Sequence, residues 1–447
     1  YFRKLDYLSI SLTLFKMIDF IDELKWRGLI HDLTPGLKEY LKDSQRTAYI
    51  GFDPTSDSLH IGSLVPIMLL AHFQKSGHQP IALVGGATGM IGDPSGKSAE
   101  RNLLDELTLK KNESCIKDQL SRFLSFDDKL SNHALIKNNY DWMKDFYFLD
   151  FIRDIGKHIT VNYMKSKDSV KNRIDSDSGT GMSFTEFTYQ LVQGFDFLFL
   201  KRKYNCSIQM GGSDQWGNIT TGMELIRRID NSKGYALTCP LITKSDGSKF
   251  GKSEDGNIWL DPKKTSAYKF YQYWLNSSDE DAKNYIKIFT FLNQNKIEEV
   301  ISEHNSEPHL RVLQKTLASE VTRMVHSQGE LDNAEKASKV LFSKNFLSEI
   351  NDIEETIFLD IFEGVTMAEI NLNEIKKGIE ITKLLHEKSG FLSSNSDAKR
   401  ALSENSIAVN KNKVDQDYVV GEKDLIKNKY IVVNRGKKKT FILKAVI

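Results

Sequence analysis

The sequence predicts an α/β protein: a Rossmann-like parallel sheet, then a helical domain, then a small α+β unit. Three observations carry this reading. Short apolar runs alternate with helix-like stretches as far as about residue 245, the pattern of strands joined by crossover helices. The polar, glycine-rich segments GFDPT, GGATGMIGDPSGK and GGSDQWGN fall where those strands end, and open parallel sheets take their ligands at the carboxyl edge. Beyond residue 265 the apolar residues recur at helical spacing instead.

Taken in order, Thr47–Phe52 reads as a buried strand, Leu59–Gln74 as a helix, and Pro80–Val84 as a strand ending in Gly85-Gly86. Between Thr265 and Phe342 the residues Leu310, Leu313, Leu317, Val321, Met324 and Val325 form one apolar stripe, read as core. Residues 343–375 are acidic and aperiodic, which predicts a connector over 346–375. In the last 70 or so residues, Ile379–Lys388 and Asp397–Asn405 read as helices and Ser406–Val414 as a strand turning at Asn410–Asn412. Tyr430–Val433 and Thr440–Val446 read as a strand pair across NRGKKK. The expected domains are 17–262, 263–345 and 376–447, with an insertion at about 130–175. Residues 1–16 are set apart as an upstream extension, with Met17 as the expected start. The apolar stretch Tyr7–Phe15 sits behind Arg3 and Lys4, but Lys16 and Asp19 follow at once, without a small-residue cleavage site.

Apolar residues make up 40% and charged residues 27%, a globular balance. No run reaches the roughly 18 apolar residues a membrane helix needs. Cys115, Cys206 and Cys239 are far apart with no CxxC pair, so neither zinc nor a disulfide framework is expected and a reducing, cytoplasmic setting fits. The net charge is +1 but unevenly spread, with 12 Lys/Arg against 5 Asp/Glu from Ala398 to the end. A basic terminal unit suits contact with a polyanion; a solvated surface suits the same charges.

Two motifs carry the chemistry. PTSDSLHIGS, Pro54–Ser63, lies between the first strand and its helix. A helix N-terminus offers unpaired N–H groups to phosphates, His60 can donate to a phosphate oxygen, and Gly62 leaves room for a flat purine. Alone, HIG is equally a structural histidine. Lys249-Phe250-Gly251-Lys252-Ser253 places two lysines three apart on a polar loop, where they can follow a migrating phosphate; alone, it is a solvated basic loop. Together, about 190 residues apart, they resemble the HIGH and KMSKS signatures of class I aminoacyl-tRNA synthetases. YIGFDPTSDSLHIG, LVGGATGMIGDPSGK, KNNYDW, FTEFTYQLVQGFDFL and GGSDQWGNIT closely resemble bacterial tyrosyl-tRNA synthetases. The resemblance runs from Met17 to the C-terminus and is weakest over 343–375.

That resemblance implies adenylation of L-tyrosine by ATP with release of pyrophosphate, then transfer to tRNA(Tyr), with Mg²⁺ accompanying ATP. It implies that Lys97, Arg101, Lys249 and Lys252 neutralise the pyrophosphate side while Thr55 and His60 hold phosphate from the other. Tyr49 and Asp196 would bind the phenol; Asp93, Tyr189 and Gln193 the ammonium; Asn139, Gln209 and Gln215 the rest of the amino-acid pocket. Gly51, Asp53, Gly62, Ser63, Gly212, Asp214 and Ser253 would complete the ATP site. The terminal unit resembles the small RNA-binding domain of these enzymes, with Lys399, Arg400, Arg435, Lys437, Lys438 and Lys439 as phosphate contacts. The helical domain would approach the anticodon, and the aromatic-rich insertion would support a homodimer.

Two positions depart from the signature. Ser63 stands where a second histidine is usual, and Pro66 is expected in the second turn of the helix, bending it. Three rival readings each conflict with particular features of the chain. A tryptophanyl-tRNA synthetase is disfavoured because Asp196 with Tyr49 suits a phenol rather than an indole. A non-catalytic RNA-binding relative would not need Lys97, Arg101, Asp93, Lys249 and Lys252, and a small nucleotidyltransferase would not need the two later domains.

Overall fold

The computed structural model describes residues 19–95, 105–174, 181–248, 250–253, 256–340, 343, 345–436 and 439–447. The chain forms two compact units, Tyr1–Thr265 with Trp274–Val325, and Ser266–Tyr273 with His326–Ile447.

The first unit is built on a six-stranded sheet. Its strands are β1 (Asp32–Leu33), β2 (Thr47–Phe52), β3 (Gln79–Val84), β4 (Leu135–Asn138), β5 (Cys206–Gly212) and β6 (Tyr235–Cys239), in the order β1-β6-β5-β2-β3-β4. β1 runs antiparallel to β6 and the other pairs are parallel. Ala48, Tyr49, Ile50, Ile81, Ala82 and Leu83 are buried, the continuous apolar runs of strands covered on both faces. β2 has β3 on one side and β5 on the other, so the chain leaves this point in opposite directions. Such a switch opens a crevice beyond the carboxyl ends of the strands, here at Asp53 and Gly212.

The helix after β2 is shorter than its sequence pattern suggests. Ile61–Ser63 is a 3₁₀ turn and the α-helix α1 runs Leu64–Lys75. Pro66 therefore lies in the first turn, not the second, where its missing N–H had no intrahelical acceptor to lose. The expected bend has no cause.

Helix α2 (Phe184–Tyr204) is capped by Ser183, whose Oγ accepts from the Glu186 N–H at 3.2 Å, and ends at left-handed Asn205. It packs on α3 (Trp216–Asp230) at very close range. A Cβ at Gly222 would stand 2.9 Å from Cβ of Phe197, so this crossing requires glycine. Glu186 and Arg173 form a buried bidentate pair with both contacts at 3.1 Å. Helices α4 (Asp279–Phe289) and α5 (Val312–Val325) belong to this same unit. The buried Arg27 donates to the carbonyls of Lys287, Thr290 and Leu292 at the C-terminus of α4, where a cation also meets the negative end of the helix dipole. Arg122 donates to the carbonyl of Val325 at the end of α5.

In the second unit, β7 (Met367–Asn371), β8 (Ile407–Val409), β9 (Asn412–Lys413), β10 (Tyr430–Arg435) and β11 (Lys439–Val446) make a sheet ordered β9-β8-β10-β11-β7. β7 lies parallel to β11 and the other pairs are antiparallel. The segment read as a connector thus supplies an edge strand. It also supplies two helices, Phe346–Asn351 and Glu355–Ile361. Phe346, Ile350, Ile353, Ile357, Phe358 and Phe362 are buried together with Tyr430, Val432 and Ile442. Their helical spacing was masked by the acidic residues between them. Ile379–Lys388, read as one helix, begins with a two-residue strand and is helical only from Ile381, where a single α-turn runs on into a π-turn.

Candidate active site

A cleft of about 320 Å³ occupies the crevice at the β2–β5 switch. Tyr49, Gly51, Asp53 and Thr55 reach it from β2 and the turn beyond; Gln209, Gly212, Asp214 and Gln215 reach it from β5 and the turn beyond. Tyr189, Gln193 and Asp196 line it from α2, where spacings of four and three put them on one face. His60, Gly62, Ser63, Asp93 and Asn139 complete it. Lys97, Arg101 and Lys249 lie outside the described residues, as do the side chains of Lys252 and Ser253, whose backbone pairs with Gly256–Asn257.

The deep end is built around Asp196, only 1% exposed. Its Oδ1 accepts from Trp142 Nε1 at 2.8 Å and its Oδ2 from Asn139 Nδ2 at 2.9 Å. Burial pushes its pKa up to about 7 against the pull of these two donors, with the charge of Asp53 adding to the rise. The Tyr49 hydroxyl is also buried, and it has no hydrogen-bond partner among the described residues. Burial, and then the charge of Asp196, raise its pKa well above the usual phenol value. A buried hydroxyl left unpaired costs roughly 1–3 kcal/mol, so this end of the cleft lacks one polar group. The Oε1 atoms of Gln193 and Gln209 are likewise buried without a partner.

A chain of hydrogen bonds continues outward from Asp196. Asn139 Nδ2 also donates to Thr88 Oγ1 at 3.1 Å, and Asn139 Oδ1 accepts from the Ala87 N–H at 2.7 Å. Thr88 Oγ1 donates to Asp53 Oδ1 at 2.6 Å, and the Tyr189 hydroxyl donates to Asp53 Oδ2 at 2.9 Å. Asp53 is thus held from two sides, by Thr88 and Tyr189. Asp93 accepts from Gln215 Nε2 at 2.8 Å and from the Ser95 N–H at 3.0 Å. Protein packed around the Asp214 carboxylate, and then the charge of Asp93, raise the pKa of Asp214.

At the mouth, the two signature motifs meet. Ile61 N–H donates to the Ile258 carbonyl and Leu260 N–H to the Leu59 carbonyl, both at 2.9 Å. A Cβ on Gly251 would stand 3.6 Å from the Gly62 amide nitrogen, so the lysine loop passes directly over the histidine motif. His60 Nδ1 accepts from the Gly62 N–H at 3.0 Å. That bond assigns the ring proton to Nε2. A Cβ at Gly62 would strike the His60 ring at 2.7 Å, a demand for glycine that the sequence did not reveal.

Three positioning residues, Trp142, Thr88 and Asn218, were missed by the sequence reading. Trp142 could have been found, since it follows Asn139 by three residues in KNNYDW, one helical turn away. Asn218, whose Nδ2 donates to Gln215 Oε1 at 3.2 Å, follows Gln215 by the same spacing in GGSDQWGNIT, whereas Thr88 carries no such signal. In the second unit, Lys399, Arg400 and Lys439 are exposed. Arg400 and Arg435 both grip Asp397, at 2.8 and 3.0 Å, so these two cations are already paired within the chain. Lys437 and Lys438 lie outside the described residues.

Residues 41–343 match the family described as tRNA synthetases class I (W and Y), and residues 358–443 match the tyrosine–tRNA ligase SYY-like C-terminal domain. The chain is 60% identical over 429 residues to a tyrosine–tRNA ligase of Flavobacterium psychrophilum, covering 96% of this chain and 99% of the relative. It is 55% identical over 427 residues to that of Porphyromonas gingivalis, covering 95% and 99%. Among solved structures, a C-terminally truncated mitochondrial tyrosyl-tRNA synthetase of Aspergillus nidulans superimposes with a TM-score of 0.65 at 32% identity, over 72% of this chain and 94% of that one. The first family spans two amino acids, but identity of this order, sustained through the C-terminal domain, narrows the choice: the chain belongs to the tyrosine–tRNA ligases of class I.

Proposed function

We propose that the cleft activates L-tyrosine with ATP and passes it to tRNA(Tyr). The observation that supports this most is the unpartnered Tyr49 hydroxyl at the same buried end as the doubly held Asp196 carboxylate. A substrate phenol supplies the missing group, donating to Asp196 and pairing with Tyr49. The ring fills the slot along α2, and the ammonium lies at Asp93 and Gln193. The substrate carboxylate then points to the mouth, where it attacks the α-phosphate of ATP and pyrophosphate leaves. The terminal ribose hydroxyl of tRNA next attacks the adenylate carbonyl, and AMP leaves. Neither step uses a protein nucleophile; orientation and neutralisation of developing charge carry both.

On the nucleotide side, His60 Nε2 donates to phosphate and Asp214 receives the ribose hydroxyls. Lys97, Arg101, Lys249 and Lys252 take the pyrophosphate charge by family resemblance. Mg²⁺ arrives with the nucleotide, in the hard-oxygen environment that it prefers. Among the described residues no group of three or more His, Cys, Asp or Glu side chains could hold a metal ion.

The exposed Lys399 and Lys439 of the second unit contact tRNA phosphates, and the helical region expected over 263–345 approaches the anticodon by family analogy. Tyr147, Phe148, Leu149, Ile152, Val161 and Phe184 are exposed apolar side chains in and beside the insertion. They support a homodimer, because apolar residues of this size on a surface mark an association site. Three free cysteines fit the cytoplasm, and no described helix is long and apolar enough to cross a membrane. ATP–pyrophosphate exchange with tyrosine, tryptophan and phenylalanine in turn tests the reading. Exchange with tyrosine alone is expected, and equal exchange with tryptophan would overturn it.

A further inference from the structure

The loop of the second motif is fastened at two points to one helix, α4, in a way the reaction itself does not require. Before Lys249, the segment Lys244–Ser248 closes into a turn: Lys244 N–H donates to the Ser248 carbonyl at 3.0 Å and Gly247 N–H to the Lys244 carbonyl at 2.9 Å. Ser245 then reaches Asp281 in the first turn of α4. Its N–H donates to Asp281 Oδ1 at 2.8 Å and its hydroxyl to Oδ2 at 3.2 Å. Asp281 is only 8% exposed, and its Oδ2 also accepts from the α4 cap Ser278 at 2.8 Å.

After Lys249, the Phe250 ring stacks on Phe289 at the far end of the same helix. The centroids are 5.2 Å apart and the planes differ by 10°. Tyr285 and Trp274 meet the same ring at 5.2 and 5.9 Å. Aromatic contacts of this kind stabilise beyond simple burial, and a carboxylate that accepts from a backbone N–H makes one of the stronger hydrogen bonds. The next residue, Gly251, lies against Gly62 of the histidine motif. One short loop therefore bridges the nucleotide mouth and both ends of α4.

We propose that Phe250 and Asp281 are positioning residues: they set the register of the lysine loop against the cleft by clamping it to α4 on either side of Lys249. This rests on the reading that the loop lysines serve the pyrophosphate of ATP. It goes further in assigning their placement to a helix that touches no substrate, and in making α4 the route by which a change at the helical segment reaches adenylation.

The test compares full-length wild type with Phe250→Ala, Phe250→Tyr and Asp281→Ala. ATP–pyrophosphate exchange gives kcat and separate KM values for ATP and tyrosine, equilibrium dialysis gives tyrosine affinity without ATP, and thermal unfolding reports folding. Phe250→Ala and Asp281→Ala are expected to lower kcat/KM for ATP at least tenfold while tyrosine affinity stays within twofold. Phe250→Tyr, which keeps the ring, is expected to restore activity to within threefold of wild type. Wild-type ATP kinetics in both alanine variants would overturn the proposal. So would a parallel loss of tyrosine affinity, or failure of both variants to fold, since the contacts would then be structural only. If wild type itself shows no tyrosine-dependent exchange, the reading of the cleft fails instead.

Discussion

Replacing Asp196 with asparagine keeps the shape of the side chain and removes its charge. In the present structure both oxygens accept, one from Trp142 Nε1 at 2.8 Å and one from Asn139 Nδ2 at 2.9 Å. An asparagine amide offers one acceptor and one NH₂, so one of these donors must face another donor. A buried donor left without a partner costs roughly 1–3 kcal/mol, and a hydrogen bond to a charged acceptor is worth about 1.5–3 kcal/mol. The variant should therefore lose about 1–3 kcal/mol of stability in urea unfolding. It should also lose the charged acceptor for the substrate phenol. At about 1.4 kcal/mol per factor of ten, the ratio of kcat/KM for tyrosine over phenylalanine should drop on the order of 10–100-fold. The assay is pyrophosphate exchange at pH 8, where Asp196 of the wild type is ionised, its pKa lying at about 7. Discrimination that survives Asp196→Asn unchanged would refute the placement of the phenol.

Four further predictions follow from the geometry. Tyrosine affinity of the wild type should rise as pH climbs through about 7, because Asp196 is protonated below that value and a carboxylate is the stronger acceptor; in Asp196→Asn, dialysis should find this step gone. The same raised pKa gives a stability contribution that is full below the unfolded value near 3.8 and is lost as pH rises to about 7, which urea titrations at pH 4 and 7.5 compare. Arg173→Met leaves the buried Glu186 without its cation and should cost roughly 3–5 kcal/mol in urea unfolding; a loss below about 1 kcal/mol would show that the pair is not holding α2. The double change Lys399→Glu with Lys439→Glu should lower the salt slope of tRNA binding by roughly 1.5, at about 0.7–0.9 per phosphate contact, and an unchanged slope would place the RNA elsewhere.

The parallel sheet could be read from the chain because β2 and β3 are buried on both faces and so appear as unbroken apolar runs. The strand at 367–371 could not, since its burial is confined to Ile370 and its pairing partner lies about 75 residues away in sequence. The helices before it hid for another reason: Phe346, Ile350, Ile357 and Phe358 keep helical spacing, but the intervening acidic residues suggested a linker. In the cleft, side chains that line it were legible through the motifs that carry them. The groups that hold those side chains were less so. Asn139 lines the cleft, and its bonds go to Asp196, Thr88 and Ala87, a supporting role visible only once β3, β4 and α2 bring these residues together. Pro66 shows the reverse case, in which a five-residue shift of a helix start, from Leu59 to Leu64, turns an expected bend into a harmless first-turn proline.

The claim on which all of this depends is that the buried end beside Asp196 and Tyr49 takes a phenol. The most direct measurement is a crystal structure of the wild type grown with L-tyrosine. The phenolic oxygen should lie within about 3 Å of both an Asp196 carboxylate oxygen and the Tyr49 hydroxyl, the ordinary O–H···O range. A tyrosine bound with its ring turned toward His60 and its carboxylate at Asp196, or bound outside this cleft, would contradict the account.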